Sequence, residues 1–145
     1  MEPTPRQIAL MRASLPLLAA ASARTADRVC ATLFRHAPSL RTSWAHTALS
    51  RSRRLLETVL EAAALIEQPA RARCAVSLLA HDLRGQGVTP RDYVALHAAL
   101  MAAIADQFGH GTEMEAAWAE VIGAILAHML ADAHGPRRSA LSLAA

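Results

Sequence analysis

The sequence predicts an all-α domain, and three observations carry that prediction. More than half of the residues are apolar (53%) but only 3% are aromatic, so the apolar content is mostly Ala and Leu, both good helix formers. Few windows are rich in Val, Ile, Thr or aromatic residues, so strands are not expected. Helix-capping signals recur along the chain, each followed by apolar residues at helical spacing. At 145 residues the chain is long enough for one domain with a full core.

Thr4-Pro5-Arg6-Gln7 is a capping box with Pro at the first helical position. The helix it opens carries Ile8, Met11, Leu15 and Leu18 on one stripe, with Pro16 inside as a source of bending. A second helix is expected over about 22–36, with Val29, Leu33 and Phe34 inward. Pro38 starts a short helical turn ending near Trp44, and the polar segment AHTALSRS that follows reads as a loop. From about Arg51 the run RRLLETVLEAAALIE is amphipathic, with Leu55, Leu56, Val59, Leu60, Ala63 and Ile66 on its apolar stripe. Pro69 breaks it. ARARCAVSLLAHDL forms the next helix, ended by Gly85 and Gly87. Thr89-Pro90-Arg91-Asp92 resembles the first cap and opens a helix to about Phe108, with Val94, Leu96, Leu100, Met101 and Ile104 apolar. Gly109 and Gly111 terminate it, and Thr112-Glu113-Met114-Glu115 caps a last helix carrying Trp118, Val121, Ile122, Ile125, Leu126 and Met129. These elements make one domain over 1–134 and leave 135–145 as a flexible tail.

The net charge of +3 comes entirely from arginine; the chain has no lysine. The arginines are scattered and stacking aromatics are few, which argues against a nucleic-acid partner. No apolar run of spanning length lacks interrupting charge, and MEPTPRQ does not read as a signal peptide. A cytoplasmic protein with no membrane partner is expected. Cys30 and Cys74 belong to no CxxC pair and read as small core residues.

Three stretches now show a family likeness. IALMRASLPLL, ATLFRHAPSLRTSW, and GVTPRDYVALHAALMAAI with AAWAEVIGAIL follow one another in an order and spacing similar to the globins. The chain resembles bacterial single-domain haemoglobins and the globin domain of flavohaemoglobins over about residues 4–132, which implies a globin-like fold of six to seven helices. The resemblance further implies a haem cofactor between the helix starting near Arg51 and the helix ending near Leu83, with oxygen or nitric oxide as the gaseous partner. Trp44 falls at the family's pocket phenylalanine, and Leu55, Val88, Tyr93, Leu96 and Leu100 fall on pocket walls. The family's distal tyrosine falls on Cys30, its distal glutamine near Arg51 and its last-helix tyrosine on Ile122. The acidic residue behind the proximal histidine falls near Ala133, beside Asp132.

In the family it resembles, the proximal histidine lies five residues before the Val of "GV", and counting back from Val88 here reaches Leu83. The nearest histidine, His81, is about 200° away around a helix. As the metal ligand His81 would need a helix distortion or a register shift absorbed at Gly85 and Gly87; otherwise it is a surface residue near a helix end. Arg51, Arg53 and Arg54 sit where one arginine could hold a haem propionate, or where they merely solvate a helix start. His36, His46, His110 and His134 are expected at exposed helix ends or loops. His97 and His128 lie within helices.

Three functional readings follow. The first is a haem protein that binds oxygen or nitric oxide. The second is a haem-free globin acting as a sensory or protein-interaction module, with a protein as its partner. The third rests on AHDLRG, which resembles a histidine-phosphotransfer motif, with His81 as acceptor and Arg84 offsetting charge. No catalytic residues are predicted, and no enzymatic activity is assigned.

Overall fold

The structure, a computed structural model, describes residues 2–135; Met1 and residues 136–145, most of the expected tail, lie outside the described residues. Among the described residues it contains seven helices and no strand. They are α1 (Pro5–Ala20), α2 (Ser22–His36), α3 (Pro38–Ser43), α4 (Ala48–Ala64), α5 (Pro69–Gly85), α6 (Asp92–Phe108) and α7 (Glu113–His134). The all-α globin-like fold expected from the sequence is the fold observed.

The caps form largely as the sequence implies. Thr4 and Gln7 make a reciprocal box, the Gln7 N–H donating to Thr4 Oγ1 and the Thr4 N–H to Gln7 Oε1. At α7 the Glu115 N–H donates to Thr112 Oγ1, but the Glu115 carboxylate accepts from the Gly111 N–H, one residue earlier than a full box requires. At α6 Asp92 Oδ2 accepts from both the N–H and the hydroxyl of Thr89. α1 runs through Pro16 without interruption.

α7 is the organising helix. It packs against α1, α4, α5 and α6, while α2 lies across α4 and α6. Trp118, Val121, Ile122, Ile125, Leu126 and Met129 are all buried, as their spacing predicts. Within this interface the Trp118 indole N–H donates to Ser14 Oγ at 2.8 Å, and the Ser14 hydroxyl in turn donates to the Met11 carbonyl. The two buried polar groups thus satisfy each other and the backbone. By length and composition α7 is also apolar enough to cross a membrane, although Glu115, Glu120 and Asp132 interrupt its apolar run as expected from the sequence. Its packing against four helices accounts for that apolar content.

Three local expectations need correction. The segment AHTALSRS is not all loop, because α4 begins at Ala48. Ser50 Oγ donates to the Thr47 carbonyl and Arg51 Nε to the Thr47 hydroxyl, and Ser52 begins the buried stripe that continues through Leu55, Leu56 and Val59. Polar residues there form a helix because none of them breaks one. Val94 is not in the core: it is 75% exposed, since the inward arc of α6 runs through Tyr93, Leu96, Leu100 and Ile104. Cys74 is exposed, being outside the α5 stripe of Ala72, Val76, Leu79, Ala80 and Leu83; Cys30 is half-buried.

Candidate functional site

The end of α5 decides which of its residues faces inward. The Val88 N–H donates to the Leu83 carbonyl at 3.0 Å and the Gly87 N–H to the Arg84 carbonyl at 3.2 Å. With Gly87 at φ +91°, this is a Schellman termination, in which the residues five apart across the end make an apolar contact. Those residues are Leu83 and Val88, and both are in the core. Glycine at 87 supplies the left-handed conformation the motif needs. The inward register of Leu83 is therefore held by the backbone bonds that stop the helix.

Leu83 is 1% exposed and shares one core with Trp44, Leu55, Val88, Tyr93, Leu96 and Leu100. Arg51 joins them at the edge: it is half-buried, and its guanidinium carbon lies 5.7 Å from the centroid of the Trp44 ring. Phe34 packs against the same indole edge-on, centroids 6.3 Å apart. The structure thus gathers the residues that the resemblance placed around a cofactor.

His81 is not among them. Its side chain is about half exposed, and Nε2 lies 3.6 Å from Asp132 Oδ2 on α7. Ser77, one turn earlier, donates to the same carboxylate oxygen at 2.6 Å. The register shift that would have turned His81 inward is absent, because the Schellman bonds hold the sequence register at Leu83. Arg84, the expected partner of a phosphorylated His81, instead donates to the Ala133 carbonyl. His36, His46 and His110 are exposed as expected, but His134 is half-buried, its ring edge-on to Tyr93 at 6.0 Å. A surface groove of about 590 Å³ beside His81 is lined by Arg73, Cys74, Ser77, His128 and Asp132. Among the described residues no cluster of three or more His, Cys, Asp or Glu could hold a metal ion.

Sequence reasoning missed one contact between α4 and α5. Arg54 on α4 and Asp82 on α5 form an ion pair at 2.8 Å. It is partly exposed and contributes about 0–1 kcal/mol, so its importance is positional: it shows that the two helices meet where the resemblance would open them. No sequence signal pairs these residues, which lie on different helices.

Haem fits these residues poorly. An iron needs a donor atom directed at it, and the inward position of α5 carries a leucine with none. The wall side chains pack on one another, and α4 packs directly on α5. Arg51, half-buried at the edge of this wall, is suited to a haem carboxylate.

Tyr93 is a perturbed titratable group at this wall. Its hydroxyl is buried without a hydrogen-bond partner. Burial pushes the phenol pKa up from its ordinary value, and the charge of Asp132 adds to the effect. A raised pKa in the fold means that the stability associated with the neutral phenol is fully present below the unfolded value near 10 and is lost as pH rises through the folded value. The chain has only one tyrosine, so Tyr93 is its one phenol to titrate on the alkaline limb. Urea midpoints measured across that limb should fall with pH in the wild type and stay flatter in Tyr93→Phe.

No curated protein matches the chain. The sequence profile of the family described as Globin matches residues 28–129, from within α2 to near the end of α7. The match covers most of the chain and includes both helices that face each other across Leu83. With the observed helix order, this match shows that the chain belongs to the globin family.

Proposed function

We propose that this globin works without haem, as a sensory or protein-interaction module. The observation that carries the reading is Leu83: an apolar side chain fills the inward position of α5, and a Schellman termination fixes it there. The Arg54–Asp82 pair and the packed wall from Trp44 to Leu100 point the same way, since a haem between α4 and α5 would have to part them. Oxygen or nitric oxide binding at iron needs a cofactor that this interior does not favour. Phosphotransfer draws little support from the geometry, because His81 faces the carboxylate of Asp132 and Arg84 is engaged elsewhere.

The test is haem content after production in cells supplied with excess haem precursor. The pyridine haemochrome assay should find no stoichiometric haem in the purified protein. One haem per chain would overturn the reading.

A further inference from the structure

Two adjoining depressions lie where α5 packs on α7. The first is the surface groove beside His81. The second is a cleft of about 400 Å³ between α1, α4, α5 and α7, with apolar walls from Ile8, Ile66, Val76, Ala124 and Ile125. Arg73, Val76 and His128 line both, so the two join there. Arg73 and Ser77 are one turn apart on α5, and Ser77 is bonded to Asp132 on α7. Residues four apart on a helix hold their Cβ atoms about 5–6 Å from each other. A guanidinium and a carboxylate therefore face one groove about a helical turn apart. Among the described residues Arg73 forms no ion pair. Ser77 and His81 both approach Oδ2 of Asp132, and no hydrogen bond from the described residues reaches Oδ1. The acidic groups on the cleft are Glu67, paired with Arg12 at 3.2 Å, and the exposed Glu2.

We propose that the joined depressions bind a free α-amino acid with an apolar side chain, its carboxylate on Arg73, its ammonium on Asp132 and its side chain in the cleft. Arg73 offers a fork of donors and no acceptor, while Asp132 Oδ1 is an acceptor only. A simple carboxylic acid would satisfy Arg73 and be repelled by Asp132; an amine would do the reverse. A zwitterion meets both with charge-assisted hydrogen bonds. Its two charged groups share one carbon, which suits partners about one helical turn apart. The apolar walls favour an aliphatic or aromatic side chain by burial, whereas a polar side chain would lose water there without gaining partners. The size of the cleft falls within the range of small-molecule sites. The inference does not rest on the haem-free reading: Val76 precedes Leu83 by about two helical turns, and the ligand would touch neither Leu83 nor the Trp44 wall.

The experiment titrates ¹⁵N-labelled protein with L-leucine and with L-phenylalanine at neutral pH and follows the backbone amide resonances. Saturable binding is expected, with the shifts centred on Arg73, Val76, Ser77 and His128. Isocaproate lacks the ammonium group of leucine, isoamylamine lacks its carboxylate and glycine lacks its side chain. Each should bind at least about tenfold more weakly than L-leucine, since one hydrogen bond to a charged group carries about that factor or more. Arg73→Gln and Asp132→Asn should each weaken L-leucine by a similar factor. Both positions are exposed, so the variants should fold, which retained dispersion of the spectrum verifies. The proposal is overturned if neither amino acid gives saturable shifts, if isocaproate, isoamylamine or glycine binds as tightly as L-leucine, or if either variant binds like the wild type.

Discussion

Leu83→Ala should destabilise the protein by about 2–5 kcal/mol, the range for truncating a buried leucine where the surroundings relax only partly. Leu83 is fully enclosed, and its removal would also strip the Schellman termination of its apolar contact with Val88. His81→Ala should shift stability by about 0.5 kcal/mol or less, because it removes one exposed partner of a long contact to Asp132. Urea unfolding of both variants checks the pair. Two residues apart on one helix, they should differ several-fold in effect. Equal costs would show that the register of α5 differs from the one described.

The second large effect is expected at Trp118. Trp118→Ala should cost about 3–5 kcal/mol, since the side chain is buried on α7 at its contact with α1 and carries the bond to Ser14. The substitution would also leave a cavity in the helix that touches four others. Thermal unfolding should show a correspondingly lower midpoint, still as one cooperative transition. A loss below about 1 kcal/mol would mean that α7 does not organise the core.

Much of this architecture is legible in the sequence because its causes are local. Thr4, Thr112, Gly87 and Gly109 mark helix ends through capping chemistry and glycine conformations that act within a few residues. The stripes of α4 and α7 follow from helical periodicity. The count from Val88 back to Leu83 also has a local cause, since those residues are the apolar pair of a helix termination. The errors have equally specific origins. Val94 is as apolar as its neighbours, and only the packing of α6 shows that it faces out. Ala48 begins a helix inside a polar run because its first-turn bonds involve Thr47, which no apolar pattern reports. Arg54 with Asp82, and Ser14 with Trp118, are contacts between distant segments. Arg73 and Asp132 come to one groove only once α5 packs on α7.

The central claim is that the chain's own side chains close the space between α4 and α5. Its most direct test is a titration of the purified protein with haemin, followed in the visible spectrum against the same titration of His81→Ala. The account predicts no sharpened, shifted Soret band at a one-to-one ratio, and identical traces for the two proteins. A stoichiometric Soret shift in the wild type that His81→Ala abolishes would contradict it, because α5 would then have to turn His81 inward and expel Leu83.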